Sequence, residues 1–439
     1  MKLQIFQSAQ GDCLLLEARD KTLVLCDGGM RSSMKSHVRD ELAKLRTAGR
    51  ALEYIYVSHI DSDHISGVLQ LLEDEVAWRV FDYQQEEENP RATQPSVSRP
   101  PVVKGLLQNA FRDQIGANSK AIEELFAVAV PALFATAEPR LVDVGLELQE
   151  IAISIPEAIK VSRLAAADAL DIPVNRLPGT EGPARLLFFR DEVRSFDVGS
   201  MQFTIVGPGI EELNDLKTGW VNWLRASKDE VLAIRRELKR RIDEFSNGAA
   251  GSPFDLGGWN GIPDFKNVTA PNIASLMFMV EEDGRRLLLT GDSQQDKLLE
   301  GLRRTGFLGD EGLHVDVLKV QHHGSEHNLD ANFARHVSAR HYVFCGNGLS
   351  GNPSLEVIDA IFASRLGSPA QRTLAPAADG ETFHYWFSTT SAAQEEGSAR
   401  RKVFQRVEER LEELEQSADG QLVAHYNDAA FIELDLTAG

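Results

Sequence analysis

The chain has 439 residues, of which 43% are hydrophobic and 26% charged, with a formal net charge of -20 at pH 7. Such a chain can bury two or three substantial cores, and its acidity excludes a surface that embraces a polyanion over its whole extent, because nucleic-acid affinity comes largely from basic groups replacing counterions. No apolar run approaches the roughly 18 to 20 residues of a spanning helix, and the opening MKLQIFQSAQGD lacks the charged-then-apolar pattern of a signal peptide, so a cytoplasmic protein with no membrane partner is expected. Cys13, Cys26 and Cys345 are odd in number and lie in apolar, strand-like runs, which reads as core packing in a reducing compartment.

The first thirty residues predict three short strands, KLQIFQ, CLLLEA and TLVLCDGG, with a turn at 19–21 between the second and third. Residues 34–46 place Val38, Leu42 and Leu45 on one helical face and lead into a strand at 52–58. There the chain reaches HIDSDHISG, His59 to Gly67, which packs His59, Asp61, Asp63 and His64 between the apolar run LEYIYVS and the helically spaced ISGVLQLL. Ligand-type side chains on a short strand-to-helix turn can converge on one point. Carboxylate oxygens beside imidazoles make a site for divalent cations.

After WRVFDY the composition shifts to QQEEENPRATQPSVSRPP, in which four prolines disfavour regular structure. From about 104 to 170 the pattern is helical, with Ile122, Leu125, Phe126 and Ala129 on one face, and strand signals return near ARLLFFR, so residues 84–190 read as a largely helical insertion. VRSFDV and MQFTIVGP form a hairpin across Gly199 and Ser200. A second helical excursion follows at 211–246, with Trp220 and Trp223 as core positions. Its basic run, Arg235, Arg236, Lys239, Arg240 and Arg241, carries Glu237 and Asp243 as well. A solvated face with internal ion pairs outweighs a phosphate-guiding stripe there.

Beyond the Gly-rich stretch 247–261, IASLMFMV and RRLLLTGD pair across the turn Asp283-Gly284, VDVLKVQ leads to HHGS, and HYVFCGN is one more strand before a helical SLEVIDAIFAS. The C-terminal part adds ETFHYWFS, an amphipathic helix at about 398–416, and a last pair of strands, QLVAHY and AFIELDL. Two of these strand ends present further ligand types: Asp292 in LLLTGDS, and His322 and His323 in LKVQHHGS. Singly, such residues are more often turn formers or structural histidines. With the first cluster they supply about what two hydrolytic metals need, including a carboxylate able to bridge and open positions for water and substrate.

In this order the motifs resemble the metallo-β-lactamase fold superfamily, and within it the ComEC-type branch, the nuclease domains of DNA-uptake proteins and their soluble relatives. The resemblance rests on AQGD (Ala9 to Asp12), CDGG (Cys26 to Gly29), SHIDSDHISG (Ser58 to Gly67), NIASLMF (272–278), LLLTGD (Leu287 to Asp292) and LKVQHHGS (Leu318 to Ser325), and covers 1–83 and about 193–360. It implies an α/β fold, an αββα sandwich, with residues 1–83 and 191–365 as catalytic domain, 84–190 as an insertion that lids the site or docks a partner, and 366–439 as a C-terminal α/β extension packing on the core.

The same resemblance implies one or two divalent ions, Mn²⁺, Mg²⁺ or Zn²⁺. His59 and Asp61 would serve one metal, Asp63 and His64 the other, Asp292 would bridge, and His322, first after the strand, would complete the second site. His323 and Lys319 are then expected at the substrate, and Asp12 and Asp27 as groups that orient ligands or hold their turns. Asp61 replaces the second His of the commoner H-x-H-x-D-H pattern, which tilts preference toward harder ions, and the middle His ligand of the wider superfamily has no counterpart between His64 and Asp292. The implied function is a nuclease or phosphodiesterase in which a water shared by the metals, with Asp63 at hand, attacks a phosphodiester. Hydrolysis of a small ester or lactone is the alternative within enzymes. The alternative outside them is a metal-binding partner subunit of a larger, defence-type bacterial complex.

Overall fold

A computed structural model describes residues 1–115, 154, 156–180, 182–190, 195–226, 236, 240, 271–375 and 380–437. The expected helical face at Ile122 to Ala129, most of the basic run at 235–241, the side chain of Trp223 and the Gly-rich stretch 247–261 lie outside the described residues.

Sheet 1 has the order β14-β1-β2-β3-β4-β5, built from β1 (Lys2–Phe6), β2 (Leu14–Glu17), β3 (Leu23–Cys26), β4 (Tyr54–Tyr56), β5 (Leu106–Leu107) and β14 (Phe431–Asp435). Sheet 2 runs β13-β12-β11-β10-β9-β8-β7-β6, from β6 (Ser195–Val198), β7 (Met201–Gly207), β8 (Met277–Glu282), β9 (Arg285–Leu289), β10 (Leu313–Lys319), β11 (Val337–Phe344), β12 (Phe383–Phe387) and β13 (Leu422–Tyr426). Successive side chains of a strand point to opposite faces, and the leucines of β2 divide accordingly. Leu14 and Leu16 join Ile5, Val24, Phe203, Phe278, Val317 and Val343 between the sheets, while Leu15 turns outward to Val38, Leu42, Ile65 and Val68 of the covering helices. A third cluster covers the outer face of sheet 2, where Leu318, Tyr342, Phe344 and Tyr385 meet Leu298, Phe333, Ile358, Phe404 and Leu411 of helices. The layers are therefore helix, sheet, sheet, helix, as expected. Each fully buried aliphatic side chain contributes about 1.5–3 kcal/mol to holding them together.

Both predicted hairpins form. Gly199 (φ 60°) turns β6 into β7, and Asp283 and Gly284 (φ 51° and 78°) turn β8 into β9, the paired positive φ that a two-residue turn between right-twisted strands requires. Trp220 is fully buried. ARLLFFR departs from expectation: residues 184–190 form no strand, because the Asn109 side chain takes the place of a partner, its Oδ1 accepting from Leu187 N and its Nδ2 donating to Leu187 O, both at 2.7 Å.

The stretch read as an insertion contributes to the core itself. β5 pairs in parallel with β4, and Ala158, Val161 and Ala165 of a helix at 156–165 pack against the outer face of sheet 1. The last two strands are neighbours in sequence but not in space. β13 extends sheet 2 beside β12, whereas β14 crosses over and pairs antiparallel with β1. Asn427, at the crossing, donates from Nδ2 to Ile5 O and Ser388 O, both at 3.2 Å, and so ties the two sheets. No described helix is long and apolar enough to cross a membrane.

Candidate metal centre

β3 and β4 run parallel, as do β9 and β10, so within each sheet the C-terminal ends of these strands lie together at one edge. Asp27, His59 to His64, Asp292 and His322-His323 all follow such ends. The Ser62–Glu86 helix starts directly in the first motif, with His64 N and Ile65 N donating to Asp61 O at 2.9 and 3.0 Å. Its apolar positions Ile65, Val68, Leu69 and Leu72 bury one face on sheet 1 and so hold the first turn, with Asp63 and His64, at the edge. Glycine is required at that junction, because a Cβ on Gly67 would lie 1.9 Å from Gly28 O. The CDGG turn is thereby clamped onto the first helical turn. A Cβ on Gly11 would meet Asp63 O at 1.6 Å, which is how the AQGD turn brings Asp12 in beside Asp63.

Asp292 is the centre of the arrangement. Its Oδ2 lies 3.3 Å from His64 Nε2, 3.2 Å from His323 Nε2, 3.8 Å from His322 Nε2 and 3.9 Å from His59 Nε2. His323 Nε2 is also 3.1 Å from Asp63 Oδ2, and Asp61 Oδ2 is 3.1 Å from His59 Nε2. Four buried residues, Asp12, His64, Asp292 and His323, each offer one donor atom within 4.8 Å of the other three. His59, His64, His322 and His323 thus face one carboxylate, with Asp61 beside His59 and Asp63 beside His323. The two histidines of HHGS differ in placement: the His323 side chain is buried, whereas that of His322 is 35% exposed. Both adopt positive φ, 45° and 57°, a conformation unusual for a side chain this bulky, and the turn holds both rings at the centre.

Hydrogen bonds around the centre decide which ring nitrogen faces it. Asp27 accepts from Ser58 N and Ser58 Oγ, both at 2.7 Å, and its Oδ2 lies 2.9 Å from His64 Nδ1. A carboxylate only accepts, so Nδ1 carries the hydrogen and Nε2 points at Asp292. Asn328 does the same for His322: its Nδ2 donates to Asp292 O and Ser293 O at 3.2 Å, which turns Oδ1 toward His322 Nδ1 at 2.8 Å. Asn328 was not foreseen in the sequence, and only its place a few residues past HHGS hinted at it. Lys319 is buried, with its Nζ against Asp12 Oδ2 and 3.5 Å from Asp292 Oδ1. Glu157, also unforeseen, accepts from Ser62 Oγ at 3.0 Å and sets the 156–165 helix against the first motif; burial pushes its carboxyl up.

The electrostatics state what the centre lacks. Burial disfavours a charged imidazole, yet the carboxylates of Asp292, Asp63, Asp27 and Asp12 hold His64 well above the ordinary histidine range, and Asp292, Asp12 and Asp63 do the same for His323. Conversely, against its own burial, Asp292 is held well below the carboxylate range by His323, His64, His322 and Lys319, and Asp12 is lowered to about 2, chiefly by Lys319 and His64. Without a metal, protons and one ammonium balance the carboxylates. His59 Nε2 and His64 Nε2 are buried with no hydrogen-bond partner, an arrangement that normally costs free energy. Mixed oxygen and nitrogen donors, lone pairs directed inward by outer hydrogen bonds, and excess negative charge fit a divalent cation.

Residues 8–79 match the family model of the Metallo-beta-lactamase superfamily. Among curated proteins, the chain is 31% identical over 125 residues to Microtubule-associated protein 1A of Rattus norvegicus, covering 26% of this chain and 4% of that protein. It is 33% identical over 87 residues to the Homo sapiens protein of that name, covering 19% and 3%. The chain thus spans a small fraction of these relatives. Among solved structures, Zn(2+)-bound PqqB from Methylobacterium extorquens aligns over 99% of this chain and all of its own at 11% identity, with a TM-score of 0.34. A metallo-beta-lactamase motif mutant from Cronobacter sakazakii aligns over 70% of each chain at 11% identity, with a TM-score of 0.23.

Proposed function

We propose that this protein is a metal-dependent hydrolase acting on phosphodiester bonds, in nucleic acid or in a smaller ester. The observation that carries the reading is the convergence of His59, Asp61, Asp63, His64, Asp292, His322 and His323 on one edge of the sandwich, with the buried Nε2 atoms of His59 and His64 facing carboxylates but making no hydrogen bond. Bound divalent ions would acidify a water for attack and neutralise charge on the attacked group. Asp63, His64, Asp292 and His323 would hold one ion, and His59 with Asp61 a second that shares Asp292. The carboxylate at Asp61 supports an oxygen-rich shell suited to Mn²⁺ or Mg²⁺ as well as Zn²⁺.

The chain's own groups divide the remaining work. Asp27, through Ser58 and directly, fixes the tautomer and direction of His64. His322 stands at the more exposed side of the centre, its Nδ1 held by Asn328 and its Nε2 lone pair 3.8 Å from Asp292 Oδ2, where it can accept a proton from a water or ligate an ion beside the ester. With a net charge of -20, a polyanionic substrate would be gripped locally, at the metals, and held more weakly elsewhere.

The test is hydrolysis of single- and double-stranded DNA, RNA and bis(p-nitrophenyl) phosphate with Mn²⁺, Mg²⁺ or Zn²⁺ in turn, beside a His59→Ala, Asp63→Ala double variant. Cleavage of at least one phosphodiester by the parent and not the variant is expected. Turnover confined to a carboxylic ester or lactone, or no turnover with any metal, would overturn the phosphodiester reading.

A further inference from the structure

Lys319 ends β10 with its side chain almost wholly enclosed, an expensive place for an ammonium unless carboxylates face it. They do. Its Nζ touches Asp12 Oδ2, lies 3.5 Å from Asp292 Oδ1 and donates to Gly291 O at 3.1 Å. The other oxygen of each carboxylate serves the centre: Asp12 Oδ1 is 3.2 Å from His323 Nδ1, and Asp292 Oδ2 faces His64, His322 and His323. Lys319 therefore stands behind the centre, on the far oxygens of Asp292, whose near oxygen faces the imidazoles, and of Asp12, whose near oxygen lies against the back of the His323 ring. It is enclosed too deeply to meet a polymeric or bulky substrate. Nor does it merely fill space, since Asp12 and Asp292 face it, and among the described residues no other lysine or arginine is ion-paired to a carboxylate of the centre, whether Asp12, Asp27, Asp61, Asp63 or Asp292.

We propose that Lys319 is an internal counter-cation that keeps the metal-free centre assembled and, by the same charge, weakens its hold on divalent ions. The inference rests on the metal-centre reading above. Two cations that share the same carboxylates repel one another at short range in a poorly screened interior. The ammonium thus sets an upper limit on affinity and favours one tightly bound ion over two. Its role is positioning and tuning, not contact with the ester.

The test compares the parent with Lys319→Met and Lys319→Gln. Gln keeps a donor for Gly291 O but carries no charge. Mn²⁺ binding is titrated calorimetrically on chelator-treated full-length protein, bound metal is counted by elemental analysis, and Tm is measured with and without Mn²⁺. Both variants should bind Mn²⁺ at least about ten-fold more tightly or take up an additional ion, and each should lose Tm without metal and recover it with Mn²⁺. A Met variant that folds only when Mn²⁺ is present gives the same support. If Gln behaves as the parent, or if both variants lose Tm equally with and without metal at unchanged affinity, Lys319 is a structural residue and the proposal is overturned. If neither folds under either condition, the proposal is likewise overturned, since Mn²⁺ should replace the lost charge. Should the parent itself bind no divalent ion, it is the metal-centre reading that fails.

Discussion

Two groups of packed histidines lie in this molecule, and their pKa values are displaced in opposite directions. At the candidate metal centre, His64 and His323 are surrounded by carboxylates and pushed up against their own burial. On sheet 2, away from that edge, His341, His384 and His425 sit on the adjacent strands β11, β12 and β13 with Trp386 stacked on His425 at 3.9 Å. Here the rings satisfy one another. Trp386 Nε1 donates to His341 Nδ1 at 3.1 Å, and His384 Nδ1 lies 3.1 Å from His425 Nε2. The nearby carboxylate, Glu381, is engaged by Arg365 at 2.6 Å and faces His314 at 3.4 Å. Burial first, then the neighbouring histidines and Arg340, lowers His341 to about 3 and His384 to about 4, and burial also lowers His425. A cluster of histidines is thus no signal of chemistry by itself. Carboxylates facing the rings, and lone pairs left without partners, separate a candidate centre from a packed ladder of neutral rings.

The largest effect is expected at the carboxylate-rich group. Asp292→Asn should lower phosphodiester hydrolysis by at least about 10²-fold, because it removes the charge toward which four imidazoles point. Circular dichroism should show the fold unchanged. Next in size, Asp27→Asn should weaken metal binding by about 10- to 100-fold, since an amide can present a donor where His64 Nδ1–H needs an acceptor. Equilibrium metal titration reads this directly.

The ladder predicts a smaller effect with a definite sign. Its folded pKa values lie below the ordinary 6.5, so no penalty exists above that pH; as pH falls below it, the unfolded chain takes up protons that the folded ladder refuses, and stability drops. For buried His341 alone the loss at pH 5 is about 2 kcal/mol. His341→Gln, which retains an acceptor for Trp386, should therefore show a smaller Tm decrease than the parent between pH 7.5 and 5. The smallest effect expected is none: His384→Gln with His425→Gln should leave metal binding and hydrolysis at pH 7.5 unchanged. Loss of activity in that variant would erase the distinction between the two groups.

Legibility in the sequence followed the same division. The ligand motifs were legible because each is local: short runs at strand ends, with Asp283-Gly284 and Gly199-Ser200 announcing hairpins by their backbone demands. The direction of Lys319 was not. Alternation along β10 left it free to face solvent, but at that end of the strand Val317, Leu318 and Lys319 are all buried, so neither face meets water. Nor was the partner of ARLLFFR legible, since an Asn side chain replaces a strand there. The pairing of Phe431–Asp435 with Lys2–Phe6 leaves no local trace, because registry between strands so far apart is set by tertiary packing.

That last pairing has a bearing on biosynthesis. Sheet 1, which presents Asp12, Asp27 and the first ligand motif, receives its edge strand β14 only from residues 431–435. Gln7 N, five residues before Asp12, donates to Ala430 O at 3.0 Å. While the chain is still emerging from the ribosome, β1 therefore has an unpaired edge, and the turn that carries Asp12 lacks its outer support. Contacts this distant in sequence form late and slowly. A chain cut short before residue 431 would hold every candidate ligand yet leave β1 with an exposed strand edge beside the turn that carries Asp12.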